Sequence, residues 1–510
     1  MSKIKIGWAE EKFVFTKPVS LTGQFAERIS EYEEKPLTVT AMAVSSDDEQ
    51  MVLCSVDLVG VSYQLTDYIK NMIKDEAEKV GLDVDKIVMS AIHTHTGPSY
   101  TGRGGRRAVA NIKNFNGFGS KGTLASMLPE GRKYIEKVNI SDNENITSLD
   151  ESLAEISTKM IKAILDAWNS RKEGGFTNAF GRAVVGLCRR ATYNDGSAQM
   201  WGDTNRAVFE SLEAGSDSGI ELLYVFDDNK KLTGIVVNLA CPAQCVQHRL
   251  FISPDFWGET KKLLREHFGE DLFMLPLCSA AGDQCPVDLI RWVEPESDVN
   301  DPNIDRMYPL KRKADPSMFD LAGMKKTGRR IANEIIDVYN DGLDEILTDV
   351  EFKHNVHIMK LPLRRVTLEQ EKEAKKAIRD YLSIENTGDV DYNDAAKLQV
   401  HLGILSRMEL QDFLEVVETE VHIMRLGPIA IATNPFELFL DYGNKIKARS
   451  TAEQTFLIQL ANGTEGYLPT KKAEEGGHYS AFVGSGTVGH EGGEQLVKET
   501  LTDIYKLFAE

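Results

Sequence analysis

KIVMSAIHTHTGPSY, residues 86–100, decides how the rest of this chain is read. Ile87, Val88 and Met89 form a short apolar run that predicts a buried strand, and Gly97-Pro98 marks its end. Beyond the run stand His93 and His95, spaced i and i+2. At the end of a strand that spacing turns both imidazoles to one side. Two ring nitrogens at one spot seed a metal site or an acid/base pair, and hydrogen-bonded structural histidines are the alternative.

Working outward, residues 37–44 and 51–56 read as a hairpin ending at Asp57, and residues 63–80 carry helical periodicity. Strand, helix, strand places His93 at the carboxyl end of a parallel pair, where open α/β sheets bind ligands. Residues 101–123 are a Gly-rich basic loop with Arg103, Arg106, Arg107, Lys113 and Lys121 and no acid. A helix is expected over 148–171, a second hairpin over 221–239, and a strand over 272–277 that delivers Gly282-Asp283-Gln284-Cys285. Helices over 317–339, 367–382 and 407–415 follow. A third hairpin, 420–432, then leads to Asn434-Pro435-Phe436-Glu437, and a final helix spans 492–508. No internal repeat is legible in the sequence. The expectation is one large α/β domain over 1–510, with mixed sheets and flanking helices.

The chain has 510 residues, 59 basic against 78 acidic, for a net charge of −19, which argues against nucleic-acid binding. No apolar run reaches the length of a membrane span, and the first residues lack a signal-peptide core, so a soluble cytoplasmic protein is expected. The six cysteines (54, 188, 241, 245, 278, 285) form no CxxC pair, disulfides would be unusual in a reducing compartment, and Cys54, Cys188 and Cys278 read as small buried hydrophobes. The partner expected is a small molecule; self-association is left open.

An ordered set of motifs runs from about residue 4 to 508. It comprises the Asp57 strand end, SAIHTHTGP, Ile252-Ser253-Pro254-Asp255, AAGDQCP, NPFE and GYLPT. Together they resemble the amino-terminal catalytic domain of the neutral, non-lysosomal ceramidases, with no stretch left for the immunoglobulin-like domain those enzymes carry. The resemblance implies a zinc ion held by two His, one Glu and one Tyr that activates water against an amide carbonyl. It assigns His93, Glu437 and Tyr467 as ligands and puts His95 beside the reacting centre. The family's catalytic Ser falls on Cys285, with Asp283 two residues before it.

The second ligand His is missing, because Cys241 runs straight into Pro242. The nearest substitutes are Cys241, Gln244, Cys245, Gln247 and His248. A thiolate or imidazole suits zinc, and a Gln amide is a poor ligand. Arg189 and Arg190, with Gln244, His248 and Trp201, are expected to bind substrate, the arginines because their forks suit carboxylate or phosphate. Basic loops and tryptophans favour a small polar, anionic or sugar-derived substrate over ceramide. The expected activity is metal-dependent hydrolysis of an amide or acyl bond. The alternatives are a glycoside-cleaving or lyase enzyme without the zinc, and a non-catalytic binding protein.

Overall fold

The computed structural model describes residues 2–24, 26–102, 106–109, 121–135, 143–291 and 318–509. Its architecture is one four-stranded unit built three times. The first unit comprises β1 (Lys5–Lys12), β2 (Thr38–Ser45), β3 (Gln50–Val56), α1 (Tyr63–Lys79), β4 (Ile87–Ala91) and α2 (Leu149–Asn169). The second comprises β5 (Lys172–Arg182), β6 (Gly219–Asp227), β7 (Leu232–Leu239), α3 (Phe256–Phe268), β8 (Phe273–Cys278) and α4 (Asp320–Asp341). The third comprises β9 (Phe352–Pro362), β10 (Val416–Leu426), β11 (Ile429–Thr433), α5 (Leu440–Arg449), β12 (Gln454–Ile458) and α6 (His490–Ala509).

In each unit the spatial order equals the chain order, two antiparallel pairings followed by one parallel pairing. The parallel step needs a crossover, and α1, α3 and α5 provide it. Units one and two fuse through β1 and β5 into an eight-stranded sheet, while unit three keeps its own four-stranded sheet. The repeat corrects the expectation of none. It lies in strand order and pairing, which no residue-by-residue similarity along the sequence betrays.

Apolar residues on both faces of the strands explain the packing. In β3, Val52, Cys54 and Val56 pack outward against α1 and α2 with Ile69, Ile156 and Met160. Met51 and Leu53, on the opposite face, join a shared inner core with Val236, Leu275, Met424, Ile431 and Phe456 from the other two units. Strands buried on both faces read as continuous apolar runs, which is how they look in the sequence. A capping box at Ser148 and Glu151 starts α2. The helix expected over 407–415 instead runs Gln399–Leu410, since Gly403 inside it hid the earlier turns from a propensity reading.

Buried amides lock the units together. Asn238 of β7 donates to Leu277 O (3.2 Å) and Leu457 O (2.9 Å) and accepts from Leu457 N (3.2 Å). Asn462, past β12, accepts from Met89 N (2.8 Å) and donates to Ile87 O (3.1 Å) of β4. Among the described residues no helix is long and apolar enough to cross a membrane.

Asp57 closes β3, its Oδ2 accepting from Thr38 N (2.7 Å) and Thr38 Oγ1 (2.9 Å). Burial raises its carboxyl to about 6, against the opposing pull of Lys261. A folded pKa above the unfolded value of 3.8 favours the protonated form. The stability it contributes is therefore full below that value and lost as pH rises through about 6. Asp57→Asn keeps one acceptor oxygen for Thr38 and cannot ionise. Relative to wild type it is expected to gain stability between pH 4 and pH 7, by roughly 2–3 kcal/mol. Urea unfolding at the two pH values checks this.

Candidate active site

The loops leaving the carboxyl ends of all six parallel strands meet at one place. Val59 follows β3, His93 and His95 follow β4, Gln244 follows β7, Gly282 follows β8, Glu437 follows β11 and Tyr467 follows β12. Each unit thus supplies two loops.

His93 adopts a left-handed backbone conformation (φ 66°), uncommon for a residue with a Cβ. That turn, rather than strand alternation, brings the two rings together edge to face, with His93 Nε2 3.3 Å from His95 Nε2. His93 Nδ1 lies 2.7 Å from Val59 O. A carbonyl only accepts, so Nδ1 carries the proton and Nε2 offers a lone pair to the site. Glu437 Oε2 stands 3.6 Å from that same Nε2.

The tautomer of His95 follows from its neighbours. Arg189 Nη1, which only donates, reaches Gln244 Oε1 at 3.0 Å. Gln244 must then turn its NH2 the other way, to His95 Nε2 at 2.8 Å. His95 Nε2 is therefore an acceptor as well. Its lone pair is taken by that amide, whereas the His93 Nε2 lone pair and a Glu437 carboxylate oxygen face each other at 3.6 Å, which calls for a cation between them. A proton is a poor choice, because burial lowers the His93 pKa despite the opposing effect of Glu437.

The short strands Phe436–Leu438 and Gly466–Leu468 pair in parallel and set Glu437 opposite Tyr467. The Tyr467 phenol is hydrogen-bonded to Tyr479, and burial, then Glu437, pushes its pKa well above the usual value. Their rings meet edge to face at 5.5 Å. Among the described residues no three His, Cys, Asp or Glu side chains form a ready metal cage. With the phenol counted, however, His93, Glu437 and Tyr467 supply one nitrogen and two oxygens from three protein groups. That donor set suits a divalent cation with a position left for water. The Val59 carbonyl would orient the imidazole ligand from behind.

None of the five candidates for the missing imidazole takes its place. Cys241 Sγ points to Val185 O (3.4 Å), and burial raises its thiol well above the usual value. Cys245 Sγ points to Thr327 Oγ1 (3.8 Å), and Gln247 Oε1 accepts from Gln24 (3.1 Å). The Gln244 oxygen is committed to Arg189. His248 lies 3.5 Å from Asp320 and stacks on Phe319, so it supports the start of α4 rather than binding substrate.

Other expected site residues have partners of their own. Arg190 makes a bidentate pair with Glu213 (2.6 and 3.0 Å) and also donates to Tyr479 O, Gly477 O and Ser480 Oγ. It clamps a loop in which Gly477, His478 and Ser480 all have positive φ. Trp201 donates its backbone N–H to Arg189 O (2.7 Å), and its side chain packs against the cluster of Cys285, Val287, Leu289 and Phe319. Cys285 itself donates to Val287 O (3.3 Å), and burial pushes its thiol to about 12, far from a nucleophilic thiolate. Asp283 Oδ1 accepts from Leu440 N (2.9 Å) and so holds the start of α5. Arg103 and Lys113, along with most of the 101–123 loop, lie outside the described residues.

The sequence reading missed Tyr479, the Val59 carbonyl and buried Glu465, which accepts from Arg107 N at 2.7 Å. Only Gly476-Gly477 before His478-Tyr479 hinted at a turn that could present an aromatic ring.

With this geometry the chain superposes over its whole length on solved structures. One, a crystal structure of neutral ceramidase from Pseudomonas aeruginosa, gives a TM-score of 0.65 at 13% identity, with 100% of this chain and 75% of that one aligned. The chain has the neutral ceramidase fold. A second structure, a ceramidase complexed with C2, gives 0.63 at 12% identity over 100% and 76% of the two chains. No protein-family model and no curated protein matches the sequence. At such identities it is the neutral ceramidase fold that is shared, held by burial pattern and strand order rather than by particular residues.

Proposed function

We propose that this protein is a metal-dependent hydrolase that cleaves an amide or acyl bond of a small polar substrate. In this reading His93, Glu437 and Tyr467 hold the cation, zinc by the chemistry of the donors. The observation that carries it is the meeting of two acceptor atoms, His93 Nε2 and Glu437 Oε2, 3.6 Å apart, with Tyr467 set opposite Glu437. Zinc in such a site lowers the pKa of bound water to about 7 and polarises a carbonyl.

The chain's own residues would do the rest. His95 would take a proton from the attacking water on Nε2, giving up the hydrogen bond it accepts there from Gln244, and return it to the leaving group. The Tyr479 hydroxyl, next to Tyr467, brings a neutral donor close to the developing oxyanion. Arg189 and Gln244 make the wall polar, which favours a small polar substrate over a long-chain lipid. Of the two residues on which the sugar-cleaving alternative rests, Trp201 packs against the Cys285 cluster, while Arg189 stays beside Gln244.

The test is metal content by mass spectrometry on protein purified without chelator, followed by a panel of small N-acyl compounds. About one zinc per chain is expected, falling to background in His93→Ala, with release of free amine from at least one compound. Full-length folded protein carrying no divalent metal, and gaining none on incubation with zinc, would overturn the reading.

A further inference from the structure

Arg189 and Arg190 are neighbours, both are buried, and the structure treats their charges in opposite ways. Arg190 is compensated by bidentate pairing with the Glu213 carboxylate. Arg189, only 3% exposed, has two hydrogen-bond acceptors, the Gln244 amide oxygen (3.0 Å) and Gly282 O (3.0 Å), and both are neutral. Its Nε has no partner among the described residues. The carboxylate that acts on it, Glu437, does so without a hydrogen bond between them. Burying a guanidinium without a carboxylate is costly, and such a charge persists where a ligand completes the pair.

Its position narrows the ligand. Gln244 touches Arg189 with one end and His95 with the other, so the guanidinium stands one side chain away from the reacting centre. An anion held there belongs to a group within a few bonds of the scissile carbonyl. The guanidinium fork fits a carboxylate in two-point contact.

We propose that Arg189 selects substrates bearing a carboxylate close to the bond that is cut, an N-acyl amino acid being the simplest class. The hydrolysis step rests on the function proposed above, whereas the anion recognition does not. The step is balanced: water adds across the amide C–N bond, giving a carboxylic acid and the free amino acid, with one proton passing to the leaving nitrogen.

Two measurements separate the ideas. The first is calorimetric binding of N-acetylglycine and of its uncharged methylamide to the Glu437→Gln protein, which is not expected to turn them over. Binding of the carboxylate roughly 100-fold tighter than the methylamide is expected, with that preference falling to near unity in Glu437→Gln/Arg189→Met. Equal affinity for the two probes overturns the proposal, and this comparison needs no Arg189 variant that could fail to fold. The second is turnover by wild type of an N-acyl amino acid panel against the matching methylamides. Selective binding without turnover supports the carboxylate site and removes the hydrolase. Turnover of both sets with equal kcat/KM retains the hydrolase and removes the carboxylate site.

Discussion

Glu437→Gln is expected to abolish turnover while leaving the fold standing. The substitution keeps the shape of a side chain that is 17% exposed and whose ion-pair partner, His93, lies at 3.6 Å. Little packing is disturbed, and a neutral imidazole at that distance attracts the carboxylate only weakly. Stability should change by no more than about 1 kcal/mol. The consequence for chemistry is of another size. A Gln oxygen carries no net charge, so it binds a divalent cation poorly, and kcat/KM should fall by ~10³-fold or more, about 4 kcal/mol of transition-state stabilisation. Steady-state kinetics and a urea melt on the same preparation check both halves. Retained activity would remove Glu437 from the site, and an unfolded variant would make it structural.

The largest expected loss of stability lies at the Arg190 clamp. Arg190 and Glu213 are fully buried and paired at 2.6 Å, and Arg190 also donates to the backbone of the 477–480 loop. Glu213→Ala leaves the guanidinium buried with carbonyl partners and no counter-charge. Removing one partner of such a pair costs roughly 3–5 kcal/mol. Replacing both, as Arg190→Met with Glu213→Leu, should recover part of that, because no stranded charge remains. The shift in urea midpoint of the two single variants and the double variant measures the coupling. The double variant should still lose activity, since the positive-φ loop that carries Tyr479 no longer has its clamp.

These residues show where sequence reading succeeds. The three hairpins, the helix over 63–80 and the strand ahead of His93 were legible because apolar runs and turn residues are local signals. His93, Glu437 and Tyr467 could be marked from motifs, and the structure sets all three around one corner. Arg189 and Arg190 could not be told apart, since adjacent residues on an extended chain point to opposite sides. One meets Gln244 and the other Glu213, which lies 23 residues away. His248 and Trp201 misled for the same reason. A histidine or tryptophan near a motif in sequence faces whatever the turn dictates, here Phe319 and the Cys285 cluster.

By itself the sequence determined the α/β class and the succession of elements, because each depends on residues a few places apart. Tertiary structure alone decided that one four-stranded unit recurs three times, and that the loops after its parallel strands share a centre. It also decided which nitrogen of each histidine accepts, and that of two buried arginines one pairs with a carboxylate while the other donates only to neutral acceptors. Those outcomes depend on hydrogen-bond partners far apart along the chain, and only packing brings such partners within about three ångströms of each other.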